Sequence, residues 1–303
     1  MSPLPQQPAS DVVDHLLTGA IDLDCRTGPS LQARHFSHDF AAEEAAAAGM
    51  AAVAFRDDFY PTTPVAAILE KAVYADLPLR LLSGVVLNNY VGGLNPYAVE
   101  HELKLGGRII WMPTISAANH LRMAYRDTQD GPAMRPREAL SVIDARGAIT
   151  GPVREILEII AEHDAVLASG HLHISEILPL FQAARTAGVT RMLVNQPLHR
   201  AGATLADIAE LARDGAFIEL TAAAFIEGPD RRHAPGLLTS VAAAAGPSRI
   251  VFSSGLGQTR NLKPVEGLRA LTRLCLQHGV PEEDMAVMLS RNAAQLVGIA
   301  PER

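Results

Sequence analysis

Eight short apolar runs recur along the chain: "AIDLDC", "MAAVAFR", "LRLLSGVVLN", "GRIIWM", "DAVLAS", "RMLVN", "GAFIEL" and "SRIVFSS". Most are apolar at consecutive positions rather than alternate ones, a pattern that suits strands of a parallel sheet covered by helices on its faces. Between most of them lie helix-length segments such as "DFAAEEAAAAG", "TPVAAILEKAVYA", "SEILPLFQAARTAG" and "TLADIAELARDG", several closing on a glycine suited to a helix C-terminus. Eight such repeats predict closure into a (β/α)8 TIM barrel, an α/β fold, with "PEEDMAVMLSRNAAQLVGIAPER" as a C-terminal helical extension. An open, doubly wound sheet is the runner-up. It is disfavoured because no GxGxxG or GxxxxGK(S/T) follows the first strand.

At 303 residues and 48% hydrophobic content the chain is long enough for one large domain. Residues 1–12 are expected to form a flexible tail, residues 13–303 a single barrel domain, and the mixed stretch from about 114 to 150 a long insertion. The net charge of −7 is spread without acidic or basic blocks, which gives no electrostatic footprint for nucleic acid or an anionic membrane. No apolar run reaches about 18 residues and no charged-then-apolar leader is visible, so no membrane span is expected. The expected partner is a small-molecule substrate, with self-association into a homo-oligomer. Cys25 and Cys275, far apart and placed on a strand and a helix, fit reduced thiols in a cytoplasm. The alanine-rich composition suggests a high-GC bacterium, where repurposed folds often serve specialised metabolism.

If the barrel closes, polar residues just after each strand converge on the face that carries catalysis in barrel enzymes. Period-two spacing puts Asp22, Asp24 and Arg26 on one face of the first strand. The second contributes Arg56, Asp57 and Asp58, the third Asn88 and Asn89, and the fourth Trp111 and Thr114. The fifth brings His171 and His173, the sixth Asn195, Gln196 and His199, the seventh Glu219, and the eighth Ser253, Ser254 and Gln258. His171, directly after a buried strand, is the candidate acid or base, with Asp24 and Asp58 as candidate catalytic carboxylates. Arg26 and Arg56 suit an anionic or carbonyl-bearing substrate, because a guanidinium fork binds carboxylate well. Asp22, Asn88, Trp111, His173, Gln196, Glu219, Ser254 and Gln258 complete the expected binding surface. Among these, Asn88 more readily shapes a rigid loop with Gly92 and Gly93, and Trp111 offers an apolar wall. His35, His38, His120, His199 and His233 are scattered and read as bland, and Cys25 reads as core. No GxSxG elbow or recognisable Cys/His pair supports covalent acyl transfer.

The order "DLxxxxGPS", "VVLNNYVGGLNPYAVE", "WMPT", "SGHL", "SSxLGQ" and "RNAAQLVGI", from about residue 20 to residue 299, resembles the amidohydrolase superfamily, in particular an incompletely characterised branch of amidohydrolase-like proteins. Ordinary members of that branch read DLHxH on strand one, a Lys and a His after strand two, GH on strand five, HP on strand six and SSD on strand eight. The resemblance therefore implies a divalent metal that activates water. At the matching positions this sequence carries Asp24 and Arg26, Arg56 and Asp58, Gln196 and Gly255, and only His171 stays. An arginine cannot be deprotonated there, so Arg26 would place a permanent cation in the metal pocket. The comparison implies loss of the metal, and no metal ligand or cofactor is expected. The expected activity is a metal-independent hydrolase, or a repurposed lyase or cyclase, acting on a small carboxylate- or carbonyl-containing metabolite. Two alternatives are a non-catalytic pseudoenzyme that binds a metabolite, and a remodelled, oxygen-rich metal site built from Asp22, Asp24, Asp58 and His171.

Overall fold

The computed structural model describes residues 10–123 and 135–299. Most of the expected N-terminal tail, and residues 124–134 of the expected insertion, lie outside the described residues.

All eight apolar runs form strands, the third of them in two pieces. The strands are β1 (Ile21–Cys25), β2 (Ala52–Phe55), β3 (Arg80–Leu82), β4 (Gly84–Val86), β5 (Ile109–Trp111), β6 (Val166–Ala168), β7 (Arg191–Val194), β8 (Phe217–Thr221) and β9 (Ile250–Ser253). They pair in parallel in the orders β1-β2-β3 and β4-β5-β6-β7-β8-β9. Ser83 alone separates β3 from β4. Its carbonyl accepts from Arg108 N and Ile109 N at 2.8 and 3.2 Å, and its hydroxyl meets Thr63 Oγ1 at 2.8 Å. Gly84 lies so close to β5 that a Cβ would fall 1.8 Å from the Ile109 carbonyl oxygen, so only glycine fits there. At the far side, Gly255 N donates to Asp24 O at 3.0 Å and Arg26 N to Leu256 O at 2.8 Å, which ties the chain after β9 to the end of β1.

Strand side chains divide by alternation. Leu23, Ala54, Val86, Trp111, Ala168 and Leu193 pack into one cluster, while Val53, Phe55, Val85, Ile110 and Leu167 join a larger one shared with the helices. Alanines at positions 52, 54 and 168 leave room for the fully buried Trp111. The helix Asn292–Val297 adds Ala293 and Leu296 to the inner cluster. It is held at the start of the strands: Arg108 Nε, just before β5, donates to Val297 O at 2.7 Å, and Arg191 Nη1, at the start of β7, to Gln295 O at 2.6 Å. That end of the strands is covered. The polar residues that follow the strands therefore open on the other end.

Helix boundaries follow local chemistry. Asn95 Oδ1 accepts from Tyr97 N before Pro96–Leu105, and Gly106 ends that helix at φ 109°. Thr204 and Asp207 form a capping box at Leu205–Arg213. No described helix is long and apolar enough to cross a membrane, and both cysteines are buried free thiols.

Candidate active site

The first strand does not keep its period. The β1–β2 register shifts between Asp22 and Cys25, a bulge that sends neighbouring acids to opposite faces. Asp22 lines a small cavity with Cys25, Phe36 and Leu268, on the helix side of the sheet, so it does not share the face of Asp24 and Arg26 as the spacing predicts. Its Oδ1 accepts from Asp24 N at 3.0 Å and Ser254 N at 2.8 Å, which pins the bulge to the chain after β9. Burial pushes the Asp22 carboxyl up to about 6, against the pull of those hydrogen bonds.

Asp24, fully buried, sits among guanidiniums. Arg26 reaches it through Nε at 2.9 Å and Nη2 at 2.8 Å, and Arg56 Nη1 donates to its Oδ1 at 3.1 Å. The second Arg56 nitrogen donates to Asp58 Oδ1 at 3.2 Å, where Thr114 Oγ1 also donates at 2.7 Å. Burial alone would raise both carboxyls; the adjacent Arg26 and Arg56 overcome it and hold Asp24 and Asp58 below the usual carboxylate range. They are permanently ionised near neutral pH, which makes them weak proton acceptors and good anchors for arginine. Asn88 Nδ2 donates to Asp58 O at 3.0 Å and Thr114 Oγ1 at 2.8 Å, while its Oδ1 accepts from Thr114 N and Ser116 N. Asn88 is thus a buried clamp between two strand ends, as its loop-shaping reading expects. Trp111 lies under the lattice, its ring centroid 5.8 Å from the Arg56 guanidinium carbon.

Opposite charge gives way to imidazole on the other wall. His171 follows β6, its N–H bonded to Pro113 O at 3.0 Å, and its Nδ1 lies 3.0 Å from Nδ1 of His120 with the rings stacked at 5.0 Å. Among the described residues, the Nε2 atom of His171 has no hydrogen-bond partner. Burial first, then the positive charges of Arg200, His120, Arg56 and Arg26, push His171 well below the ordinary imidazole range. It is a neutral base at pH 7; the acids at Asp24 and Asp58 are spent on arginines and do not raise it. His120 comes from Ala118–Met123, inside the long insertion, and belongs to the site although the sequence reading set it aside. So does His199, whose Nδ1 is 3.0 Å from His233 Nε2 and which burial, with Arg200 behind it, lowers to about 3.

Below these groups Glu219 is fully buried and accepts from Asn195 Nδ2 at 2.8 Å and Ser253 Oγ at 2.9 Å. Burial, aided by the nearby Asp24 charge, raises it to about 7. Arg26, Asp58, His120, His171, Gln196 and Gln258 share one cavity of about 430 Å³. Gln196 holds φ at 44°, a left-handed conformation uncommon outside glycine. Ser254 serves the backbone instead, its hydroxyl donating to Asp24 O at 3.1 Å. His173 caps the helix Ile174–Thr186, accepting from Ser175 N through Nδ1 at 3.2 Å, and does not line this cavity.

The donor set does not fit the divalent metal of the family pattern. Both oxygens of Asp24 accept guanidinium N–H groups, Asp58 Oδ1 is taken by Arg56 and Thr114, and Arg26 stands as a fixed cation where a ligand would be. Asp22, the fourth member of the remodelled oxygen-rich set, faces the helix side, so that set does not assemble.

A model of DUF6282, a family of unknown function, matches residues 19–219. No curated protein matches the chain. Among solved structures it is similar to an amidohydrolase from Pseudomonas aeruginosa, with TM-score 0.64 and 12% identity over 95% of this chain and 97% of that one. An amidohydrolase from Burkholderia multivorans gives TM-score 0.58 and 11% identity over 93% and 99%. The 2,6-dihydroxybenzoate decarboxylase from Rhizobium gives TM-score 0.54 and 12% identity over 93% and 99%. The fold is the amidohydrolase fold.

Proposed function

The chain belongs to the DUF6282 family, and from that premise we propose that it is a metal-independent acid/base enzyme acting on a small carboxylate- or carbonyl-bearing metabolite inside a closed (β/α)8 barrel. The observation that carries the reading is the pairing of His171 with His120 in the same cavity as the Asp24–Arg26–Arg56–Asp58 lattice. Arg26 holds and polarises the anionic or carbonyl group, and Asp24 fixes the fork that does so. His171 Nε2 takes the proton. With a hydrogen bond between the two Nδ1 atoms, one proton lies between the rings, and its passage to His120 shares the incoming charge over two imidazoles. That sharing matters because Arg26, Arg56 and Arg200 all oppose a full charge on His171.

Proton abstraction beside a carbonyl serves elimination or rearrangement; in a decarboxylation the protonated imidazole would instead deliver a proton to the carbon that loses CO2, and the neutral base can activate water against a lactone or amide. Solved structures with this fold include both amidohydrolases and a decarboxylase, which supports keeping both directions.

The test uses small keto, hydroxy and lactone acids incubated with the protein in deuterated water, with exchange or turnover followed by NMR. The expected result is catalysed exchange or conversion of at least one acid that survives chelation. Activity abolished by chelation and restored by one divalent ion would overturn the reading.

A further inference from the structure

We infer that the substrate is an oxo acid, its carboxylate seated on Arg26 and its carbonyl oxygen received by a ring N–H of His199, which makes His199 a further catalytic residue. The inference rests on the preceding reading in taking this cavity as the substrate site and His171 as its base. His171 follows β6 and His199 follows β7, neighbouring parallel strands, while Arg26 follows β1; all three residues line the same cavity. Arg26 gives Nε and Nη2 to Asp24, and its Nη1 makes no hydrogen bond among the described residues, which leaves that nitrogen for a ligand. His199 Nδ1 lies 3.0 Å from Nε2 of His233, a residue that does not line this cavity. Nε2 is therefore the ring nitrogen of His199 left for a ligand.

His199 is half-buried, and burial, then the positive charges of Arg200, His233, Arg232 and Arg26, keep it neutral at pH 7. Burial holds His233 below the ordinary imidazole range as well. Two neutral rings that share one hydrogen bond have two arrangements, with the shared proton on His199 Nδ1 or on His233 Nε2. The proposed role requires the second, in which the single N–H of His199 is on Nε2. A neutral imidazole in that tautomer polarises a carbonyl and stabilises the charge that develops on its oxygen. As His171 Nε2 takes the proton from the carbon beside the carbonyl, the C–H electron pair forms a C=C bond and the carbonyl pair moves onto oxygen. His199 donates a hydrogen bond to that enolate oxygen and keeps its own proton, and return of the proton from His171 to carbon restores the oxo acid. A plain carboxylic acid engages Arg26 and leaves His199 without a partner. An oxo acid engages both.

The experiment measures binding by calorimetry to pyruvate, 2-oxobutyrate and 4-oxopentanoate, each beside the acid of the same length without the carbonyl: propanoate, butyrate and pentanoate. At least one oxo acid is expected to bind about 2- to 10-fold tighter than its plain partner, as one further hydrogen bond provides. In His199→Phe that ratio should fall towards unity, while Arg26→Met should weaken both members of the pair together. With the carbonyl carbon isotopically labelled, its NMR resonance should move downfield on binding to the wild-type protein, as a hydrogen-bonded carbonyl does. That move should be lost in His199→Phe and reduced in His233→Phe, which removes the partner that fixes the tautomer. Oxo acids that bind the wild-type protein no tighter than the plain acids would overturn the inference, whether or not the variants fold, and so would a ratio or a carbonyl shift that survives loss of the His199 ring. Because the readouts are binding and a bound resonance, they stand apart from the acid/base reading, whose failure would appear as absent proton exchange with the oxo-acid preference intact.

Discussion

The two walls of the cavity are built on opposite electrostatic principles. On the β1–β2 side, Asp24, Arg26, Arg56 and Asp58 form a chain of ion pairs, and the two carboxylates stay ionised near neutral pH. On the β6 side, His171 is held neutral by burial and by the guanidiniums across the cavity, and its Nε2 atom, without a partner among the described residues, can accept a proton. The difference teaches how one cavity can hold two kinds of group: charges paired with one another on one wall, and on the other an imidazole that burial, with the positive charge across the cavity, keeps neutral. Within one strand the contrast repeats. Asp24 is lowered by two arginines, and Asp22, two residues earlier and equally buried, has hydrogen-bond donors but no guanidinium and rises to about 6.

The largest effect should come from the imidazole wall. His171→Asn should lower kcat by about 10²- to 10⁴-fold with ligand affinity little changed, as steady-state kinetics beside direct binding would show. If turnover persists and Asp24→Asn abolishes it in a folded protein, the walls have exchanged roles. Next is the lattice itself. Asp24→Asn strips two guanidiniums of their shared partner, and loss of one member of a buried ion pair costs about 3 to 5 kcal/mol, measurable by denaturant unfolding. A loss below about 1 kcal/mol would mean that the arginines do not depend on Asp24.

Asp22→Asn sharpens the contrast within β1. The folded carboxyl, near 6, binds its proton more tightly than the unfolded one, near 3.8. Its contribution is fully present below pH 3.8 and is lost as pH rises through 6. The variant should therefore be more stable than wild type at pH 8, by at most about 3 kcal/mol, with the gap closing towards pH 4. An unchanged difference across that range would refute the assignment. The smallest effect is outside the cavity: His173→Ala should destabilise by about 1 kcal/mol through loss of a helix cap, visible as a lower Tm.

The strands were legible because consecutive apolar residues are required wherever both faces of a sheet are covered, and the third run broke only where Ser83 turns aside to Thr63 and Arg108. The arginine lattice was legible too, since Arg26 and Arg56 stand where the resembled family carries metal ligands. The bulge was not. The alternation in "IDLDC" is unbroken, and the register shift comes from backbone bonds to Ser254 and Gly255, more than two hundred residues away in the chain. His120 was missed for the same kind of reason: it lies on a short helix within an insertion, and its partner is 51 positions distant, so no local pattern marks it. His173 was over-read. Its place after His171 suggested the cavity, and the helix N-terminus claimed it.

The central claim is that burial, reinforced by fixed guanidinium charge, keeps His171 a neutral base hydrogen-bonded to His120. It is tested most directly by nitrogen NMR of protein labelled at histidine, titrated from pH 8 to pH 5, with His171→Asn used to assign its resonances. The account predicts that His171 stays neutral throughout and that its Nδ1 shows the hydrogen bond to His120. A His171 ring that becomes protonated with a midpoint at or above about 6.5, the unperturbed imidazole value, would contradict it.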